Sequence, residues 1–172
     1  MIGSFKTNSP LNIIFLLIYG VVLKFYAFLH PHIPVAQATD GFLYHRFLNF
    51  LAPFGKEVPI IYPIIVLILI LSQAISFTNF INNQKLLPKA TYLPAMAYVL
   101  ITSLFPEWWQ LSSALIINSL LAWVWAMLSN LFNNPRPKTL VFNAGLVISL
   151  TSFLYFPSIC FILLVFFALI SM

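Results

Sequence analysis

Charge is what this chain has least of: 8 Lys and Arg and 3 Asp and Glu in 172 residues, or 6%, where a soluble globular domain carries about 25%. So few charges cannot cover a water-facing surface of this size. Glycine is also sparse, at 5 residues, and no Gly-rich phosphate loop, HExxH zinc pair, GxSxG nucleophile turn or kinase signature occurs. Cys160 is the one cysteine, which excludes an intramolecular disulfide and a cysteine metal cluster. Its place within an apolar run reads as a small buried hydrophobe. Three histidines remain, and His30 and His32 flank Pro31, which leaves their rings in an extended segment without fixed geometry. They read as interfacial imidazoles in contact with water, as does His45, so neither a metal nor a cofactor is expected.

What the chain has instead is oil, 62% of it hydrophobic. Runs nearly free of charge recur along it, and about 20 apolar residues match the roughly 30 Å hydrocarbon core of a bilayer. Inside that core every backbone group must be satisfied within the protein, and unbroken apolar runs lack the alternation of barrel strands, so the spans are helices. The expected fold class is an all-α membrane protein, a bundle of about six transmembrane helices forming one domain over residues 1–172. The spans read as 11–29, 58–77, 90–105, 111–132, 139–156 and 158–172. The first is too long for a signal-peptide core and no small-residue cleavage site follows it. The last is 15 residues, about 22 Å of helix, with no polar anchor at its far end, and the expectation is that the chain is the front portion of a longer protein.

Lysine and arginine in short loops set orientation. Lys6, then Lys85 and Lys89, then Arg136 and Lys138 fall on one side; Arg46 and Lys56 fall on the other, offset by Asp40 and Glu57. The N-terminus is therefore expected in the cytoplasm, with the protein in a bacterial inner membrane. The net charge of +5 is spread singly along the chain, so it marks topology and not a nucleic-acid partner. All three acids, Asp40, Glu57 and Glu107, and all three histidines then lie on the outer side.

The first outer loop, HPHIPVAQATDGFLYHRFLNFLAPFGKE, is the one long enough to hold structure. Its middle reads as an interfacial amphipathic helix: Thr39 or Asp40 caps the start, Leu43, Phe47, Phe50 and Leu51 recur at helical spacing, and His45, Arg46 and Asn49 face elsewhere. Asp40 and Tyr44 are one turn apart and so able to share a face. Lys24 lies in the outward third of the first span; it either snorkels to the interface or marks a site with a carboxylate partner. Glu107, in LFPEWWQLSS, is either a solvated carboxylate in an interfacial turn between Trp-rich span ends or a member of such a site. Thr102, Ser103, Asn118, Thr151 and Ser152 lie near the outer ends of their helices, and Gln73, Asn79 and Asn143 nearer the inside; interhelical hydrogen bonding is the role expected of them.

The segments LPAMAYVLITSLFPEW, FNAGL and LYFPS, with the opening MIGSFKTNSPLN, resemble a family of uncharacterised multi-spanning inner-membrane proteins of Bacteroidota. The resemblance implies a polytopic membrane protein and no established activity. Some members carry the label of a carotene-cleaving oxygenase, but such iron chemistry needs several imidazoles converging on one metal, and no histidine lies in an expected span here. Two functional readings follow. One is an envelope assembly, structural or transport-related component whose partners are the bilayer and other membrane proteins. The other is a membrane glycosyltransferase using a polyprenyl-phosphate-sugar donor, since a first span followed by an outer loop with an aspartate and an interfacial helix looks like the opening of that class. By that analogy Asp40 is the base, Glu107 a second acid or hydrogen-bonding partner, and Lys24, His45 and Arg46 bind the substrate, with Lys24 or Arg46 on its phosphate.

Overall fold

The computed structural model describes residues 5, 9, 11–131 and 137–170. Every regular element among them is helical: α1 (Leu11–Leu23), α2 (Phe25–Leu29), α3 (Phe42–Glu57), α4 (Ile61–Asn83), α5 (Leu93–Ser103), a 3-10 turn over Pro106–Trp109, α6 (Ser113–Ser129), α7 (Pro137–Leu154), a second 3-10 turn over Phe156–Phe161, and α8 (Ile162–Ile170). Each of the six apolar runs thus carries helix. Two of the helices, α4 and α7, are long and apolar enough to cross a membrane, and the other apolar helices are shorter. Lys6, Pro10, Arg136 and residues 171–172, which entered the topology and span assignments, lie outside the described residues.

The chain forms two compact units, one of Met1–Pro34 with Phe54–Leu111 and one of Val35–Pro53 with Ser112–Met172. In the first, α1 packs on α4 and α5. The run read as one first span is interrupted at Lys24, where α1 gives way to the single turn and a half of α2. Helix α4 closes through a Schellman motif: Leu86 N–H donates to the Ile81 carbonyl at 3.1 Å and Lys85 N–H to the Asn82 carbonyl at 3.2 Å. Lys85 occupies the left-handed position, φ 52°, where glycine is usual. The Asn82 side chain then brackets Thr91, donating to its carbonyl at 3.2 Å and accepting its N–H at 3.3 Å, which ties the loop to the end of α4. Between α4 and α5, the Tyr98 hydroxyl donates to the Gln73 amide oxygen at 2.7 Å.

The second unit is built on α6 and α7. Val124 of α6 meets Ala144 and Ile148 of α7, and Val165 of α8 packs against the same cluster. The small Ala144, fully buried, lets the two helices approach closely. A second cluster joins Tyr44 of α3 to Ile117 of α6 and Leu154 of α7, with Phe47 and Leu48 beside them. So the face that α3 buries is Tyr44, Phe47, Leu48 and Leu51, a perfect i, i+3, i+4, i+7 series, and not the Leu43, Phe47, Phe50, Leu51 set expected from hydropathy; Phe50 is 70% exposed and Tyr44 only 1%.

The polar and apolar residues are distributed against the rule for proteins in water. Ile162, Leu163, Phe166, Phe167 and Ile170 of α8 are all exposed, while Asn12, Lys24, Gln73, Thr102, Ser113 and Thr151 are buried. Three of the buried hydroxyls expected to cross between helices do not donate across them. Thr102 Oγ1 donates to the Tyr98 and Val99 carbonyls, Ser103 Oγ to the Leu100 carbonyl and Thr151 Oγ1 to the Ile148 carbonyl, all within their own helix. A hydroxyl one turn along finds an i−3 or i−4 carbonyl without waiting for a partner helix, which is why the local bond wins. Cys160 also departs from expectation: it is exposed, on the outward side of the second 3-10 turn, where an apolar run contacts the surroundings and not a core.

Candidate functional site

Asp40 stands just before α3, in a stretch that pairs with the end of α7. Gly41 N–H donates to the Leu154 carbonyl at 2.8 Å and Phe156 N–H to the Thr39 carbonyl at 3.2 Å, so Asp40 and Tyr155 form an isolated antiparallel bridge. The approach is so close that a Cβ on Gly41 would lie 2.0 Å from the Phe153 carbonyl oxygen. The bridge sets the direction of the Asp40 side chain. Its Oδ1 accepts from the hydroxyl of Ser113, in the first turn of α6, and its Oδ2 accepts from the Gln37 N–H at 2.7 Å. The donors to the carboxylate are thus not α3 amides, and the Tyr44 and His45 N–H groups of the first turn of α3 go to the Gly41 carbonyl. The carboxylate serves the start of α6 instead, beside the Ser112 hydroxyl that caps that helix by accepting from Leu115 N–H. A negative charge at a helix N-terminus is favoured by about 0.3–1 kcal/mol.

Both oxygens of Asp40 are thus engaged in bonds that hold the fold. Each oxygen has one donor and keeps a further lone pair, so these two bonds fix the direction of the carboxylate without exhausting its capacity to accept. Ser113→Ala is expected to destabilise the protein by about 1.5–3 kcal/mol, the range for hydrogen bonds to charged groups. Unfolding in mixed micelles measures it; a variant as stable as the parent would show that the bond carries no weight. Ser113 was not among the residues singled out from sequence. The signal available was the pair Ser112–Ser113 before an apolar run, a helix start near which an acid is welcome.

His45 and Arg46, the expected substrate-binding residues, are exposed on α3, and the Arg46 guanidinium lies 5.4 Å from the centroid of the Phe42 ring one turn earlier. Lys24 and Glu107 belong to the first unit, with the hairpin of Pro106–Trp109. Lys24 is 2% exposed, so it does not snorkel. Its ammonium donates to the Trp108 carbonyl at 3.1 Å. Glu107, one residue away along the chain, is exposed, and among the described residues no ion pair joins it to Lys24. The carboxylate is exposed, and the partner of the lysine is the backbone next to it.

The hairpin also closes a cavity of about 200 Å³. Tyr26 and Ala27 of α2, His30, His32, Tyr62, Trp109 and Gln110 line it, with Pro63, Pro106 and Leu111. The Tyr26 ring is 4.7 Å from that of His30 and 6.0 Å from that of Trp109, centroid to centroid. Trp109 is fixed in turn by its indole N–H, which donates to the Ser103 carbonyl at 3.0 Å. Tyr62 is fixed by α3, since its hydroxyl lies where a Cβ on Gly55 would be, 2.1 Å away. Two of the three histidines therefore face one cavity, which His-Pro-His did not foretell. Among the described residues no group of three or more His, Cys, Asp or Glu side chains is placed to hold a metal ion. No protein-family model, curated protein or solved structure matches the chain.

Proposed function

We infer that this is a polytopic integral membrane protein with a non-catalytic part in the cell envelope, in assembly, in structure or alongside transport. The observation that carries this is the inverted surface. An exposed α8 of isoleucine, leucine and phenylalanine, together with buried lysine, glutamine, asparagine and hydroxyls, suits hydrocarbon as the solvent. Six spans, an inner-membrane location, a cytoplasmic N-terminus and membership of the Bacteroidota family resembled by LPAMAYVLITSLFPEW are parts of the same proposal. In the glycosyltransferase reading Asp40 would act as base while held by Ser113 and Gln37; the same two bonds serve a purely structural carboxylate, and that is the simpler account of them.

Two measurements test the proposal. Alkaline phosphatase, which is active only outside the cytoplasm, is expected to be active when fused after Trp108 and inactive when fused after Lys85. Equal activity at the two positions, or extraction of the protein by alkaline carbonate, would remove the membrane topology. Asp40→Asn is expected to complement a deletion strain wherever the variant protein accumulates; failure at normal abundance would restore the enzyme reading.

A further inference from the structure

We propose that the cavity beneath the Pro106–Trp109 turn binds the ring of a lipid-soluble quinone. Its size comes first. At about 200 Å³ it is smaller than the roughly 300–1,000 Å³ sites of drug-sized ligands, so it takes one ring and leaves any tail outside. The charge of the ligand follows from the walls. No carboxylate lines the cavity, and Lys24 lies behind the wall: its ammonium is bonded to the Trp108 carbonyl, next to Trp109, and its own carbonyl accepts Ala27 N–H at 2.9 Å. A cationic ligand would meet that buried positive charge without a counter-ion. A phosphate needs several charged donors converging on it, yet no lysine or arginine lines the cavity and the Trp109 indole N–H is spent on Ser103.

What the walls do offer is aromatic faces and a few neutral donors. Tyr26, Tyr62 and Trp109 present rings against which a flat molecule can stack. Among the lining residues, His30 and His32 carry ring N–H donors and Gln110 a side-chain amide. The ligand that uses all of these is a neutral planar ring bearing carbonyl oxygens, whose partial negative charge the buried Lys24 favours. In a bilayer the molecules of that description are prenylated quinones, whose tails stay in the hydrocarbon. The choice of a membrane-borne ligand rests on the membrane reading above; the shape and donors of the cavity do not.

The test uses the detergent-purified full chain and menadione, the bare ring. With Trp123→Phe and Trp125→Phe in the background, Trp108 and Trp109 report. Saturable fluorescence quenching is expected, at least tenfold weaker in affinity when His30→Ala and His32→Ala, both at exposed positions, are combined in a variant whose unfolding in mixed micelles matches the parent's. An azido-naphthoquinone is expected to label the otherwise unaltered chain within residues 26–32 or 106–111, with menadione protecting. Non-saturable quenching, unchanged affinity in the histidine variant, labelling elsewhere, or protection by dodecyl phosphate and not by menadione would each overturn the proposal. Failure of the membrane reading would show separately, as a chain soluble without detergent, in which menadione binding would still be measurable.

Discussion

Gly41→Ala is expected to be the most damaging single-methyl change in the second unit. The added Cβ would meet backbone at the end of α7, 2.0 Å from the Phe153 oxygen and 2.5 Å from its carbon, so no side chain can turn aside to make room. The peptide must move instead, and with it the Gly41 to Leu154 bond, the Asp40 to Tyr155 bridge and the hold of Asp40 on Ser113. Overpacking costs about 1–3 kcal/mol where neighbours can adjust. With rigid backbone as the neighbour and a hydrogen bond at risk, the expected loss is about 3 kcal/mol or more. Gly55→Ala is the comparison. Its Cβ would also come too close, 2.1 Å from the Tyr62 hydroxyl, but that is the far end of a side chain that can swing about its Cα–Cβ bond, so the loss should be smaller. Unfolding by increasing SDS fraction in mixed micelles ranks the two; equal stability of Gly41→Ala and its parent would remove the close approach from the fold.

Lys24→Glu is expected to have an effect of similar size in the first unit. The lysine is buried and gives a hydrogen to the Trp108 carbonyl. A glutamate in its place sets an acceptor against an acceptor and leaves a buried charge without a partner, a situation that costs about 3–5 kcal/mol. Lys24→Met behaves differently. It leaves the carbonyl without its donor, at about 1–3 kcal/mol, but it also releases the cost of burying the ammonium, which is several kcal/mol. The two terms nearly cancel, so the methionine variant should accumulate and unfold much as the parent does while the glutamate variant does not. A glutamate variant as stable as the methionine one would mean that position 24 is open to water.

How far the sequence could be read depended on the solvent. Where hydropathy separates core from surface it marks the buried face; in this chain large apolar side chains are exposed as well as buried, so composition located the helices and could not say which face of each was buried. Helix α3 illustrates this. Leu43 and Phe50 scored as core by hydropathy and are exposed, whereas Tyr44, half polar by type, is the residue its cluster is built around. The reverse signal was stronger than expected: in an apolar chain the polar residue marks the interior, as Lys24, Gln73 and Ser113 do. Partners remained illegible for a different reason. Asp40 to Ser113 and Lys24 to Trp108 join positions 73 and 84 residues apart, and one of the two acceptors is a backbone carbonyl, which has no residue type to recognise.

The end of α5 has a consequence for where that helix can stop. At eleven residues it reaches about 16 Å, roughly half of a 30 Å hydrocarbon layer. A helix that ends within oil ordinarily strands its last carbonyls, each at a cost of several kcal/mol. Here those of Leu100, Ile101 and Ser103 accept, in turn, from the Ser103 hydroxyl, the Leu104 N–H and the Trp109 indole. On the membrane reading proposed above, those three bonds let a half-length helix finish within the hydrocarbon, with the Trp109 indole standing in for water at the Ser103 carbonyl.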